Sequence, residues 1–258
     1  MYPLYFRSVS TRAEGYSPLQ NTAVWLAAWL YGHESTDALI GAMTELHGRN
    51  SYQGEPLAHL LRDVRAATDL HIPGPAVRLI LSGPGQAPEL PAGSEAAQAA
   101  AEFSGGSAIV LRGAGGVSHI LVPDSSDEQA KWRWFEEPEP LPEPAWLTPG
   151  EADALLSRAT DEAAVLIEAV GGTRADLPDP RLTVGTLADF YDTPGLPMGT
   201  PPRAAKLFAR ADTVAAVIET VVDRLGDHSF DPQLFGLWRH IRTARMAGVA
   251  DAVLDYQR

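Results

Sequence analysis

The chain has 258 residues, 45% of them apolar and 21% charged, enough for one large domain or two modest ones with full cores. Its formal charge of −13 argues against nucleic-acid backbones and anionic membrane surfaces as partners. With no cysteine, disulfides, thiolate metal sites and thiol catalysis are excluded.

Met1-Tyr2-Pro3 opens the chain without a basic run, and the most apolar stretch, residues 23–31, is far shorter than the roughly 20 residues of a membrane span. A cytoplasmic protein is expected. Ser17-Pro18-Leu19-Gln20 reads as a capping box that starts a helix. Residues 22–31 are apolar almost all round and stop at Gly32, so this helix is expected to be buried on every side as the centre of a first domain. Two amphipathic helices follow, one on Leu39, Ile40, Met43 and Leu46 that stops at Gly48, the other on Leu57, Leu60, Leu61 and Val64. After Pro73-Gly74-Pro75, residues 76–81 read as a strand and 95–103 as a short alanine-rich helix.

Residues 107–138 then read as three strands, with His119 opening the middle one and Glu136-Glu137-Pro138 closing the third. Trp132 and Trp134 alternate and so share a face, either as core covered by later helices or as an exposed aromatic platform. Prolines at 138, 140, 142, 144 and 149 favour an extended, semi-rigid polyproline segment and forbid a helix or a central strand. The expected division is an α+β domain over residues 1–140, a Pro/Glu-rich linker over 141–149 and an all-helical domain over 150–258.

Thr148-Pro149-Gly150-Glu151 is a second capping box, followed by a stripe of Leu155, Leu156, Ala159, Ala163, Leu166 and Val170. A proline-rich loop over 178–202 holds at most a short helix near 187–191. Phe208, Ala211, Ala215, Ile218, Val222 and Leu225 repeat at the 3-4 spacing of a packing seam. A last helix over 231–256 carries Leu234, Leu237, Trp238, Ile241, Val249 and Val253.

A capped buried helix, further helices, and then strands bearing Gly115-Gly116-Val117-Ser118-His119 and Glu136-Glu137-Pro138 make a layout with a known counterpart. Residues 15–138 resemble the papain-like cysteine peptidases of the bacteriocin-processing group. The resemblance implies a papain-like domain, a buried central helix on an antiparallel sheet, with His119 as the catalytic imidazole and Glu136 or Glu137 where its orienting carboxylate is expected. It also implies a cysteine between Ser17 and Thr22, and that window holds Pro18, Leu19, Gln20 and Asn21. A leucine or an amide cannot supply a thiolate. Ser17 or Thr22 could serve as a hydroxyl nucleophile, although helix capping and a first-turn position account for both.

The remaining candidates carry less. His59 and Asp63, four apart, read as a solvated helix pair, and His33 and His47 as helix-end residues that complement the dipole. No histidine–carboxylate spacing suits a metal, and no cofactor is expected. Gly83-Pro84-Gly85 cannot open a phosphate-binding helix, and Gly113-Ala114-Gly115-Gly116 leads into a strand as a hairpin turn. Arg203, Lys206 and Arg210 share one helix face, as do Arg239 and Arg242, joined by Arg245 and His240. These faces would bind an anionic ligand or acidic partner if they converge, and otherwise pair with the chain's own acids.

The expected function is a non-catalytic, pseudoenzyme-like cytoplasmic scaffold that binds a protein or peptide partner in the cleft a peptidase would use. Gln20, Trp132, Trp134 and the arginine faces are its binding candidates. A hydrolase or amide-bond enzyme with a Ser/Thr nucleophile and His119 as base is the rival, and a binder of small anions is the third reading. Neither nucleic acid nor membrane is expected as a partner.

Overall fold

Ser17 caps the first helix, α1 (Pro18–Leu30), its hydroxyl accepting from the Gln20 amide at 3.4 Å with Pro18 in the first turn. The computed structural model describes residues 17–83, 86, 89–126, 128–171, 195–225 and 231–258, with 163–171, 220–225 and 231–235 described by backbone only. The short helix near 187–191 and the side chains of Ala163, Leu166, Val170, Val222, Leu225 and Leu234 lie outside the described residues. The apolar circumference of α1 is buried all round, with Trp25 alone half-exposed between Leu19 and Leu30. A helix without a polar face needs neighbours on every side, and the rest of the fold supplies them.

Helix α2 (Thr36–His47) is capped by Ser35 and ends at Gly48, whose φ of +69° suits glycine. The Glu128 carbonyl stands where a Cβ of residue 48 would be, and it accepts from the Arg49 amide at 2.9 Å. A side chain at 48 would therefore break both the turn and a strand pairing. Two strands follow that the hydrophobic pattern did not mark, β1 (Arg49–Tyr52) and β2 (Glu55–Pro56). They form a hairpin about Gln53-Gly54, both at positive φ (53° and 82°), the signature of a two-residue primed turn. Helix α3 (Leu57–Ala67) buries Leu57, Leu60, Leu61 and Val64, the face its spacing predicts.

Strands β3 (Val77–Ile80), β4 (Ala108–Arg112), β5 (Ser118–Ser126) and β6 (Gln129–Glu137) complete a six-stranded sheet in the order β2-β1-β6-β5-β4-β3. The three strands expected in residues 107–138 are consecutive antiparallel neighbours, and β1 joins β6 in parallel, Tyr52 beside Trp132. Leu79, Ile109, Leu111, Leu121 and Trp132 face α1. Ile80, Ala108, Val110, Ile120 and Val122 face α4 (Glu95–Phe103) on the other side. The fold is mixed α/β, with seven α-helices among the described residues.

The helical half consists of α5 (Pro149–Gly171), α6 (Pro202–Leu225) and α7 (Asp231–Tyr256). Leu156, Leu207, Ala211, Ala215, Ile218, Trp238 and Ile241 form its core, so the predicted seam is a packing seam over its described part. Phe208 and the C-terminal part of α7, with Val249, Val253 and Tyr256, belong instead to the core around α1. Gly248 permits this crossing, since a Cβ there would lie 2.9 Å from Phe208 Cζ. The linker divides the chain in sequence, while α7 runs through both cores in space. No helix among the described residues is long and apolar enough to cross a membrane.

Candidate functional site

On β5, His119 has Leu111 as its neighbour on one side and Glu136 on the other. Its ring tilts against Trp134 at 5.1 Å between centroids, and Trp134 meets Tyr52 at 6.4 Å. His119 Nδ1 lies 3.9 Å from Glu136 Oε1, a distance that makes an ion pair only with the ring protonated and is too far for a hydrogen bond. That nitrogen is buried and has no hydrogen-bond partner among the described residues. Burial lowers the pKa of His119 and the Glu136 charge opposes the shift, so the ring is neutral near pH 7. Gly113 leaves room for the imidazole, because a Cβ there would lie 2.7 Å from Nε2. Glu137 points to the opposite sheet face, buried, where its Oε1 accepts from the Glu139 amide at 3.3 Å. Of the two expected carboxylates, Glu136 is the one beside His119.

Ser17 and Thr22 stand elsewhere. Thr22 Oγ1 donates to the Pro18 carbonyl at 2.9 Å and lies 2.7 Å from His47 Nε2. With its single proton on Pro18, the hydroxyl accepts from Nε2–H, which leaves His47 no lone pair to act on it. The His47 ring stands edge-on to Trp132 at 5.3 Å. Trp132 pairs with Pro123, four residues along β5 from His119, which is about 13 Å of strand. The two histidines therefore mark different levels of the sheet, and the hydroxyl is with the wrong one for the hydrolase reading. Thr22 is fully buried, and Gln20 and Asn21 nearly so. From α7, Arg245 donates through Nη1 to Gln20 Oε1 at 3.1 Å while Nη2 meets Asp212 Oδ1 at 2.7 Å. Gln20 is thus a core residue under α6 and α7, not a wall of an open cleft.

His47 also departs from its expected role at a helix end. Burial depresses its pKa to about 4, so it carries no charge to set against the dipole of α2. Below the unfolded value of 6.5 the denatured chain takes up a proton that the native chain refuses until about pH 4. Stability is full above that window and falls through it as pH drops, by about 3 kcal/mol from this group alone. His47→Gln, which keeps a donor for Thr22, should flatten the pH dependence of urea unfolding between pH 6.5 and 4. An equally steep loss in the variant would overturn the assignment.

Trp132 and Trp134 share a face, as their alternation requires, and it is the face on which α1 packs. Trp132 is buried and donates to Asn50 Oδ1 at 2.9 Å, whereas Trp134 stays half-buried. Near Trp134 a groove of about 480 Å³ opens between the loop that enters α4 and the end of β6. Its lining includes Ser94, Trp134 and four carboxylates, Glu95, Glu136, Glu137 and Glu139, with no basic side chain among the described residues. Glu95 carries no motif, and only the packing of α4 beside β6 brings it to the groove with Glu136 and Glu139.

The cations are spread out. Arg203 Nε meets Asp251 at 2.7 Å, and Arg210 Nε meets Asp153 at 3.2 Å. Arg242 is buried with its guanidinium against Gly83, whereas Lys206 and Arg239 are exposed. Burial, with help from Arg239, lowers the pKa of His240. His59 approaches Glu55 at 3.9 Å rather than Asp63. Among the described residues no cluster of three or more histidines and carboxylates could hold a metal ion.

Residues 20–146 match the family model of the Rv1486c-like protein, N-terminal domain, and residues 150–246 that of the Rv1486c-like protein, C-terminal domain. No curated protein and no solved structure matches the chain. The gap between the two matches, residues 147–149, falls at the end of the proline-rich stretch. The chain belongs to the Rv1486c-like protein family.

Proposed function

We propose that this member of the Rv1486c-like family is a non-catalytic cytoplasmic binding or scaffold protein, whose acidic groove takes a cationic segment of a protein or peptide partner. The observation that carries the reading is the groove itself: four carboxylates, one half-buried tryptophan and, among the described residues, no basic group in its lining. Arginine or lysine entering there gains charge-assisted hydrogen bonds from Glu95, Glu136 and Glu139, and apolar contact with Trp134. The papain-like layout enters as a pseudoenzyme: His119 and Glu136 stand side by side on β5 and β6 as the relic of a catalytic pair, without the hydrogen bond that would orient the ring. An active hydrolase is less well supported, because Thr22 is fully buried on His47 and Arg245 ties down the helix start. A site for small anions is less well supported too, because Arg203, Arg210 and Arg245 are each engaged by an aspartate.

Titration of the whole chain with a tetra-arginine peptide at low salt tests the groove. Weak, salt-sensitive binding is expected, reduced about tenfold or more in Glu95→Gln/Glu136→Gln, from the loss of two partly exposed charges. Absence of binding, or binding that the double variant leaves unchanged, would overturn the reading. Labelling by a fluorophosphonate probe that vanishes in His119→Ala would favour the hydrolase instead.

A further inference from the structure

We infer that the proline-rich stretch between β6 and α5 is itself a recognition element, a preformed acidic polyproline II helix. Its reader is a partner domain with an aromatic-lined groove rimmed by arginine. From Glu137 to Pro144 every residue is either a proline or precedes one. Proline fixes φ near −65°, and the residue before a proline is pushed out of the helical region into extended backbone. The polyproline II conformation is therefore imposed locally, before any tertiary contact.

The way the stretch lies on the protein agrees with that geometry. Residues 140–148 are neither helix nor strand, and burial recurs at every third residue: Leu141, Pro144 and Leu147 are half-buried, while Pro142, Glu143, Ala145 and Trp146 are exposed. Three residues per turn is the period of polyproline II. One edge is fastened down. Leu141 packs on the core beside α4, Leu147 packs on the helical core, and the Pro142 carbonyl accepts from Arg78 Nη1 at 3.3 Å.

The other two edges face outward, one bearing Glu139, Pro142 and Ala145, the other Pro140, Glu143 and Trp146. Trp146 is 55% exposed, and its Nε1 donates to Glu143 Oε2 one turn back at 3.4 Å. The displayed surface thus combines proline rings, an indole and the carboxylates of Glu139 and Glu143. Proline rings seat between aromatic side chains, and a helix already in its bound shape loses little entropy on docking. The acids select a reader with cations at the rim of its groove.

This inference rests on the partner-binding reading and extends the acidic surface beyond the groove, with Glu139 at the junction. Its test is a titration of the full chain into a ¹⁵N-labelled WW domain whose groove is rimmed by arginine. Shift changes confined to that groove are expected. Pro140→Ala/Pro142→Ala should weaken binding about tenfold or more, and Glu143→Gln should weaken it and reduce its salt sensitivity. The strap variants should bind the tetra-arginine peptide as the wild type does, and Glu95→Gln/Glu136→Gln should bind the WW domain as the wild type does. No groove shifts with the wild-type chain, or an unchanged titration in the double-proline variant with an unaltered melting curve, would overturn the proposal. Should that variant melt early, Glu143→Gln at the surface decides it: unchanged affinity counts against, reduced affinity in favour.

Discussion

Ile218→Asp should shift the urea unfolding of the whole native protein to a much lower midpoint. Ile218 is 2% exposed on α6, within the core that Ala211, Ala215, Trp238 and Ile241 share. A carboxylate placed among these apolar side chains loses its hydration, at a cost of about 4 kcal/mol or more. Total stabilities of 5–15 kcal/mol leave little margin for such a loss. The effect should not stay in the helical half, because α7 carries Trp238 and Ile241 into one core and Val249 and Val253 into the other. Urea unfolding followed by tryptophan fluorescence and by circular dichroism should report one early transition. A midpoint equal to wild type would mean that this face of α6 is exposed in solution, and would sink the packing assignment.

Arg245→Met should cost about 3 kcal/mol while preserving the volume and the helix propensity of the site. The guanidinium is 2% exposed and ties three helices, accepting partners being Gln20 on α1 and Asp212 on α6. Removing it leaves the buried Gln20 Oε1 without this donor, which dominates the loss. The Asp212 side chain, 27% exposed, can recover water in part, which keeps the loss below that of a fully buried broken pair. Adding Asp212→Asn to Arg245→Met should therefore cost less than the sum of the two single changes. Additive losses would indicate that the two side chains do not interact, and that α7 does not fasten the start of α1 through charge.

Much of the fold was legible in the chain, and the legible parts are local. The capping box at Ser17-Pro18-Leu19-Gln20, the apolar circumference of α1 and the 3-4 seam through Ile218 each depend on residues within a few turns of one another. The three strands around His119 showed for the same reason, through alternation and the turn glycines at 115 and 116. The β1–β2 hairpin did not, because Arg49-Asn50-Ser51-Tyr52 has no apolar alternation and is held by parallel pairing to β6, eighty residues away. Gln53-Gly54 was the one local signal there, and it marks a turn without saying what the strands pair with.

The site divides along the same line. Composition alone removed thiol chemistry, and the proline spacing alone argued for extended backbone after β6. Pairing histidines with hydroxyls and carboxylates required the fold: His119 met Glu136 across one rung, and Thr22 met His47 across 25 positions of sequence. Arg245 pairs with one of the chain's own acids, an alternative its sequence left open, but that the acid is Asp212 on α6 and that Gln20 on α1 shares the guanidinium are not visible in the sequence. Helices, turns and proline conformation follow from sterics and hydrogen bonds between near neighbours, which a sequence states directly. Which charge is buried, which hydroxyl faces which imidazole and where four carboxylates line one groove follow from burial and Coulomb contacts between distant segments, and these exist only once the chain has closed on itself.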